Sequence, residues 1–121
     1  MSATAEPGLP ALPDRLRRDL KQAMKDRDRP AVAALRQTLA AIANAEAPPL
    51  PDTQGVLPTE PVIGRANEVE RLALTDADVA RIVAAELAER DRAADEYARL
   101  DRPDEAAAVA AEATVLRRYL A

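Results

Sequence analysis

Two stretches decide the fold: DRPAVAALRQTLAAI at residues 28–42 and DRPDEAAAVAAEATVL at residues 101–116. Each begins with Asp-Arg-Pro and follows another alanine-rich stretch in which apolar residues recur at helical spacing. Proline is tolerated in the first turn of a helix but not in its interior, so each Asp-Arg-Pro marks a point where one helix has ended and another begins. Turns this short make the two helices antiparallel neighbours. The sequence therefore predicts two helical hairpins.

The composition favours helix-on-helix packing. The 121 residues include no Phe, Trp or Cys, and Tyr97 and Tyr119 are the only aromatic residues. Apolar volume comes from Leu, Val, Ile and much Ala, without the β-branched and aromatic runs of a sheet. We predict an all-α domain of four helices, made of two antiparallel hairpins joined by a Pro-rich loop.

Several classes of chemistry are excluded by the residue types that are missing. Without Cys and His the chain has no thiol chemistry, no disulfide and no imidazole general base or metal ligand. The single serine is Ser2, and no Gly-rich phosphate loop or nucleophile–base pair is visible. We predict no catalytic residue, no metal site and no cofactor. The carboxylates of the third helix, Glu86, Glu89, Asp95 and Glu96, alternate with arginines, which indicates surface ion pairing.

The organisation along the chain is a tail at residues 1–11 followed by one helical domain at residues 12–121. The helices are predicted at Pro13 to Arg27, Arg29 to Glu46, Thr75 to Arg99 and Arg102 to Leu120. Residues 48–64 form the Pro-rich connecting loop, and Asn67 to Leu72 could form a short extra helix. Thr75 and Asp78 approximate a capping box, and Asp101 is the predicted cap of the fourth helix.

The predicted inward residues follow steps of three and four. In the first helix they are Leu16, Leu20, Ala23, Met24 and Arg27; in the second, Val32, Leu35, Leu39 and Ile42; in the third, Val79, Ile82, Val83, Leu87, Ala94 and Tyr97; in the fourth, Val109, Ala113, Leu116 and Leu120. The second helix is apolar nearly all round, which predicts a central place in the bundle or in an oligomer interface.

Charge is unevenly distributed. Net charge is −4, but residues 11–47 hold eight basic and five acidic side chains. On the first helix, four cations outside the apolar stripe could bind phosphate: Arg17, Arg18, Lys21 and Lys25. No aromatic residue interleaves with them, so base stacking is excluded. The alternative interpretation is an ordinary solvated face.

Arg36 is the one charge between Pro30 and Asn44. Burying a lone guanidinium without a partner is costly. We therefore predict a structural ion pair with a carboxylate of the third or fourth helix, the candidates being Glu86, Glu89 and Glu112. The alternatives are a contact to a ligand or RNA phosphate, and plain exposure.

Four groups of residues follow one another in the order and spacing of a known family: Leu16 to Lys25; Leu35-Arg36, Ala41-Ile42, Asn44 and Glu46; Leu74-Thr75, Glu86, Glu89-Arg90, Ala94 and Tyr97; and Glu112, Val115-Leu116 and Tyr119-Leu120. Together they resemble the helical segments of YqeY-like proteins, over about Leu12 to Leu120. Family members usually continue into a small C-terminal helical tail domain, which we expect this chain to lack. They also have a tighter connection where residues 48–64 lie here.

The YqeY-like family is similar to the C-terminal helical region of the GatB subunit of tRNA-dependent amidotransferase. That enzyme is a carbon–nitrogen ligase with glutamine as amido-N-donor. The resemblance implies a non-catalytic accessory domain in amide transfer on tRNA, with tRNA or amidotransferase subunits as partners. A free-standing ligase is disfavoured by the missing nucleophile and base.

The alternative function is a helical protein-interaction or self-assembly module with no RNA role, since a thin Ala-rich core and an apolar second helix invite a partner's surface or a homo-oligomer. No apolar run is long enough to span a membrane, and residues 1–10 do not resemble a signal peptide. The expected location is the cytoplasm.

Overall fold

The computed structural model of the chain describes residues 11–48 and 73–120. These residues form four α-helices and no strand: α1 (Leu12–Asp26), α2 (Arg29–Glu46), α3 (Asp76–Arg99) and α4 (Pro103–Arg117). The predicted all-α fold of four helices is confirmed. The N-terminal tail up to residue 10, the connecting loop from residue 49 on and the short helix predicted at 67–72 lie outside the described residues.

Both hairpin turns close with the same backbone motif. Arg27 and Asp101 adopt left-handed conformations, with φ of 58° and 59°. In the first turn, the Asp28 N–H donates to the Ala23 carbonyl at 2.9 Å and the Arg27 N–H to the Met24 carbonyl at 3.3 Å. This is the hydrogen-bond pattern of a Schellman motif, which satisfies the last carbonyls of a helix.

The second turn repeats that pattern one residue out of step with the sequence repeat. The Arg102 N–H donates to the Tyr97 carbonyl at 2.9 Å, and the Asp101 N–H to the Ala98 carbonyl at 3.1 Å. Asp101 therefore corresponds in structure to Arg27, not to Asp28. The prediction of Asp101 as cap was wrong: Arg102 occupies the cap position of α4 and makes no side-chain cap, because Asp101 is used for the left-handed turn.

Helix starts are stabilised in three further ways. The predicted capping box of α3 is confirmed, since Thr75 Oγ1 accepts from the Asp78 N–H and Asp78 Oδ2 accepts from the Thr75 N–H, both at 3.0 Å. Asp28 Oδ1 accepts from the Ala31 N–H at 3.2 Å and caps α2. At α1, the Leu12 N–H donates to both carboxylate oxygens of Asp76, each at 3.3 Å. A carboxylate at the start of α3 thus serves the positive end of α1.

The helices pack as two hairpins laid against each other. α1 packs on α2 and α3 on α4, while α2 contacts both α3 and α4, and α1 also touches α3. The core combines residues from all four helices: Leu12, Leu16, Ala23, Ala31, Ala34, Leu35, Ile42, Val79, Val83, Val115 and Leu116. α2 contacts every other helix, but α3 does so too, so the predicted central place is not particular to α2.

The predicted inward residues are buried or partly buried, with two exceptions, Met24 and Arg27. Arg27 is exposed because it lies beyond the end of α1, in the left-handed turn. Met24 is 50% exposed, because it lies at the edge of the α1 stripe. Val115, which the predicted seam of the fourth helix omits, is buried. The outward side of α2 is not covered: Ala33, Ala40, Ala43 and Ala45 are exposed. α2 is apolar nearly all round because it carries alanine on its exposed side as well as on its buried side, and not because it is buried on all sides.

None of the four described helices combines the length and the apolar character that crossing a bilayer would require.

Candidate functional site

The four cations predicted as a phosphate-binding surface lie together on α1. Arg17, Arg18, Lys21 and Lys25 are all exposed; we call them the basic face. At 100° per residue they fall within an arc of roughly 100°, opposite the buried stripe that contains Leu16. The apolar side of α1 is held by the core, so the helix presents these four side chains to solvent as one set.

One carboxylate lies within the basic face and another at its border. Arg17 Nη1 is 3.0 Å from Asp14 Oδ1, and Arg18 Nε is 3.6 Å from Asp19 Oδ1. All four of these side chains are more than a third exposed, and exposed pairs of this kind contribute little. Lys21 and Lys25 form no ion pair with another described residue. Counting Asp14, the face keeps an excess of three positive charges.

Arg36 does not form the predicted structural ion pair. Its side chain is exposed on the outer side of α2, and among the described residues no carboxylate lies within ion-pair distance of it. Two of the three carboxylates predicted as its partners are bound by another arginine, Arg90 of α3. Arg36 can therefore remain hydrated without any burial cost.

Among the arginines that the structure describes, Arg90 is the buried one, at 6% exposed. Its Nε donates to Glu112 Oε1 of α4 at 2.9 Å, and its Nη1 donates to Glu86 Oε1 at 2.9 Å and to the Glu86 carbonyl at 3.1 Å. Its Nη2 donates to Gln37 Oε1 of α2 at 2.7 Å. Glu86, for which the sequence indicated surface ion pairing, thus belongs to a network joining three helices.

The remaining carboxylates of α3 do not converge. Glu89 and Asp95 are exposed, and Glu96 Oε1 accepts from Arg99 Nη2 at 2.9 Å. Within residues 11–48 and 73–120 no three acidic side chains are grouped closely enough to hold a metal ion. The arrangement on this helix is one of local ion pairs along a solvated surface.

A cleft lies beside the basic face, between α1, the start of α2 and the end of α4. Its volume is ≈ 290 Å³. Ala23, Ala31, Leu35 and Val115 form its apolar part, and Tyr119 closes one end. We call it the Tyr119 cleft.

Tyr119 is fixed in the cleft by contacts on two sides. Its hydroxyl donates to Asp19 Oδ2 of α1, and the guanidinium carbon of Arg15 lies 5.3 Å from the ring centroid. Burial, followed by the hydrogen bond to Asp19, raises the pKa of the Tyr119 hydroxyl well above its ordinary value. Arg15 over the ring is within cation–π distance. Tyr97 has a similar neighbour, with the Arg102 guanidinium carbon 5.6 Å from its ring centroid.

The sequence contained only part of the signal for these sites. The basic face followed from helical spacing within α1. The Asp19–Tyr119 contact joins residues 100 positions apart, and the Arg90–Gln37 contact joins residues 53 positions apart. No local pattern predicts either, although an arginine on α3 flanked by Glu86 one turn earlier was a partial indication.

Comparison with models of protein families, with curated proteins and with solved structures gave no match to this chain.

Proposed function

We propose that this chain is a non-catalytic accessory domain of the GatB/YqeY type, which contacts tRNA in the context of glutamine-dependent amide transfer. Two observations support the proposal. One is the resemblance of its four helical segments to that family. The other, which carries the RNA contact, is the basic face of α1.

The basic face suits an electrostatic contact. Four exposed cations on one side of a single helix can each approach a backbone phosphate, and such contacts are independent of base sequence and sensitive to salt. The rest of the molecule is acidic, with a net charge of −4 for the whole chain. Because the remaining surface has an excess of acidic side chains, it would repel a polyanion and favour contact at this side of α1. The domain would position RNA, and the chemistry would belong to the enzyme it serves.

A gel-shift titration with tRNA at low salt tests this contact. The variant changes Arg17, Arg18, Lys21 and Lys25 to Glu. The control makes the same change in total charge at three arginines of α3 and at the residue preceding α4: Arg81, Arg92, Arg99 and Arg102. We expect the first variant to lose the shifted band and the control to weaken it only slightly. Equal effects of the two variants, or none from the first, would refute a contact through the basic face.

The amidotransferase part of the proposal needs a separate experiment. The tagged chain is recovered from its native cells at low salt, and both bound RNA and bound protein are identified. Recovery of tRNA or of amidotransferase subunits is expected. If neither is recovered from cells in which both are abundant, the role in amide transfer on tRNA is refuted, and the resemblance reflects ancestry alone.

A second candidate function is self-assembly, and the outer side of α2 favours it. Ala33, Ala40 and Ala43 are exposed there, and small side chains allow another helix to approach closely. Light scattering tests whether the chain self-assembles. It is applied to the wild type, to Ala40→Glu and to the matched control Ala88→Glu on α3. A dimer that only Ala40→Glu dissociates would support this function. A wild-type monomer at high concentration would exclude it.

A further inference from the structure

Two guanidinium groups in the Tyr119 cleft have N–H donors that no described residue of the protein accepts. Arg15 and Arg118 both line the cleft, and both lie close enough to the Tyr119 hydroxyl to lower its pKa against the larger effect of burial. Within the described part of the chain, neither guanidinium donates a hydrogen bond to a protein acceptor or pairs with a carboxylate. Each therefore keeps its fork of N–H donors available for an oxyanion.

Arg15 is held in place without losing those donors. Its guanidinium lies over the Tyr119 ring at 5.3 Å from the centroid, and the ring is anchored by its hydroxyl on Asp19. A cation–π contact restrains the guanidinium without using its N–H donors. The Arg15 side chain therefore loses less conformational freedom when an anion binds. Such preorganisation favours binding because it lowers the entropic cost.

Among the lining residues whose charge acts on the Tyr119 hydroxyl, two are arginines and one is a carboxylate. The carboxylate is Asp19, which accepts the hydrogen bond of the Tyr119 hydroxyl, and the arginines are Arg15 and Arg118. Outside the lining, Arg18 Nε is 3.6 Å from Asp19 Oδ1. The two other lining carboxylates, Asp26 and Asp28, lie at the α1–α2 turn. Asp26 is seven residues beyond Asp19, roughly 10 Å along the helix, which is about one Debye length in physiological salt.

Each of these two carboxylates accepts a hydrogen bond. Asp28 Oδ1 accepts from the Ala31 N–H at 3.2 Å and Asp26 Oδ1 from Gln22 Nε2 at 3.0 Å. Asp28 is therefore fixed to the start of α2 and cannot swing towards Tyr119 without uncapping that helix. The volume of ≈ 290 Å³ corresponds to roughly ten water molecules, ample for a tetrahedral oxyanion and its remaining hydration.

We propose that the Tyr119 end of this cleft binds a phosphate group between Arg15 and Arg118. The site adjoins the basic face through Arg18 but does not depend on it. The phosphate can belong to an RNA backbone or to a small phosphorylated molecule, and the two sources are distinguished by experiment.

The first experiment titrates the ¹⁵N-labelled full chain with inorganic phosphate and follows the backbone and Arg side-chain amide signals by NMR. Sodium chloride at matched ionic strength is the control titration. We expect saturable shifts centred on Arg15, Arg118 and Tyr119 with phosphate alone. The double variant Arg15→Gln/Arg118→Gln should bind about tenfold more weakly or worse, since two charge-assisted hydrogen bonds are lost.

Arg92→Gln is the matched control, because Arg92 is an exposed arginine of α3 far along the chain from the cleft. It should leave the titration unchanged, and circular dichroism should show equal helicity for all variants. Shifts that do not saturate, that chloride reproduces, or that persist in the double variant would overturn the proposal.

The second experiment distinguishes the source of the phosphate. A short RNA stem is added to the phosphate-saturated protein. Displacement of phosphate from the Arg15 and Arg118 signals identifies the RNA backbone as the ligand, and persistence of those signals identifies a small phosphorylated molecule. RNA binding that is lost in the basic-face variant while phosphate binding survives would separate a failure of the proposed function from a failure of this site.

Discussion

Thr38 shows how one side chain can limit stability in a thin core. It is fully buried on α2, and its hydroxyl has no hydrogen-bond partner within the described residues. An unpaired buried hydroxyl loses its hydration without compensation. Thr38→Val keeps the shape and removes the polar atom, so we expect the free energy of unfolding to rise by about 1 kcal/mol.

Urea denaturation measures that change. Thr114→Val is the control, since Thr114 is exposed and its Oγ1 already donates to the Ala110 carbonyl at 3.1 Å. It should bring no gain. A lower midpoint for Thr38→Val would contradict an unsatisfied hydroxyl at this position.

Tyr119 gives the molecule a pH dependence in alkaline solution. Burial and the hydrogen bond to Asp19 raise the pKa of its hydroxyl in the folded protein above the unfolded value of 10.0. The unfolded chain therefore releases this proton first as pH rises. The stability that depends on the neutral hydroxyl is fully present below pH ~10 and declines above it.

Tyr119→Phe removes this titration. Between pH ~9 and ~11 the melting temperature of the wild type should fall more steeply than that of Tyr119→Phe, while Tyr97→Phe should behave as the wild type does. Parallel curves for the wild type and Tyr119→Phe would show that the hydroxyl is not protected in the fold.

Among the contacts between elements, the Arg90 network is the one that joins three helices. Arg90→Ala leaves Glu86 and Glu112 partly buried without a counter-charge, so we expect a loss of about 3 to 5 kcal/mol in the free energy of unfolding. The exposed neighbour Arg92→Ala should change it by less than about 0.5 kcal/mol. Chemical denaturation monitored by circular dichroism makes both measurements.

A triple variant keeps this prediction testable if Arg90→Ala does not fold. Arg90→Met with Glu86→Leu and Glu112→Leu replaces the charges by apolar groups, which elsewhere is neutral or stabilising. It should recover most of the lost stability. If the triple variant is as unstable as Arg90→Ala, the cost lies in packing and not in the unpaired carboxylates.

The hairpin turns carry backbone strain of different size. Arg27 and Asp101 both have positive φ, which glycine adopts without penalty and Asp tolerates better than Arg. Arg27→Gly should therefore raise the free energy of unfolding by about 0.5 to 1 kcal/mol, and Asp101→Gly by less. Thermal unfolding tests the order, and a larger gain at Asp101 would contradict the left-handed assignment of Arg27.

At the level of elements, the sequence predicts what is local and misses what depends on helix rotation. Proline position and apolar spacing place the ends of α2 and α3 within one residue of the structure. In the second turn the left-handed residue is Asp101 of Asp-Arg-Pro, whereas in the first turn it is the residue before this tripeptide. This offset depends on the residue at which α3 ends, which the two copies of Asp-Arg-Pro do not determine. Similarly, Arg36 and Arg90 are both arginines on helices with apolar stripes. Only the packing of α2, α3 and α4 decides which one meets Glu112.

For the whole molecule, the fold is more predictable than the function. Amphipathic spacing fixes which side of α1 is buried, and the basic face follows because the other side must be exposed. The Tyr119 cleft depends on the end of α4 meeting α1 across 100 residues, which no local pattern contains. A partner is harder still, because exposed charges show where a contact can form and not with what.

The salt dependence of tRNA binding tests the central claim, that the basic face contacts RNA phosphates, most directly. Fluorescence anisotropy gives the binding constant at several salt concentrations for the wild type and two charge-matched variants. One changes Arg17, Arg18, Lys21 and Lys25 to Gln, and the other does so at Arg81, Arg92, Arg99 and Arg102. Four phosphate contacts contribute about 3 to the slope of log K against log salt. We expect the first variant to lose a slope of about 3 and the second to keep it; equal slopes for the wild type and the first variant would contradict the account.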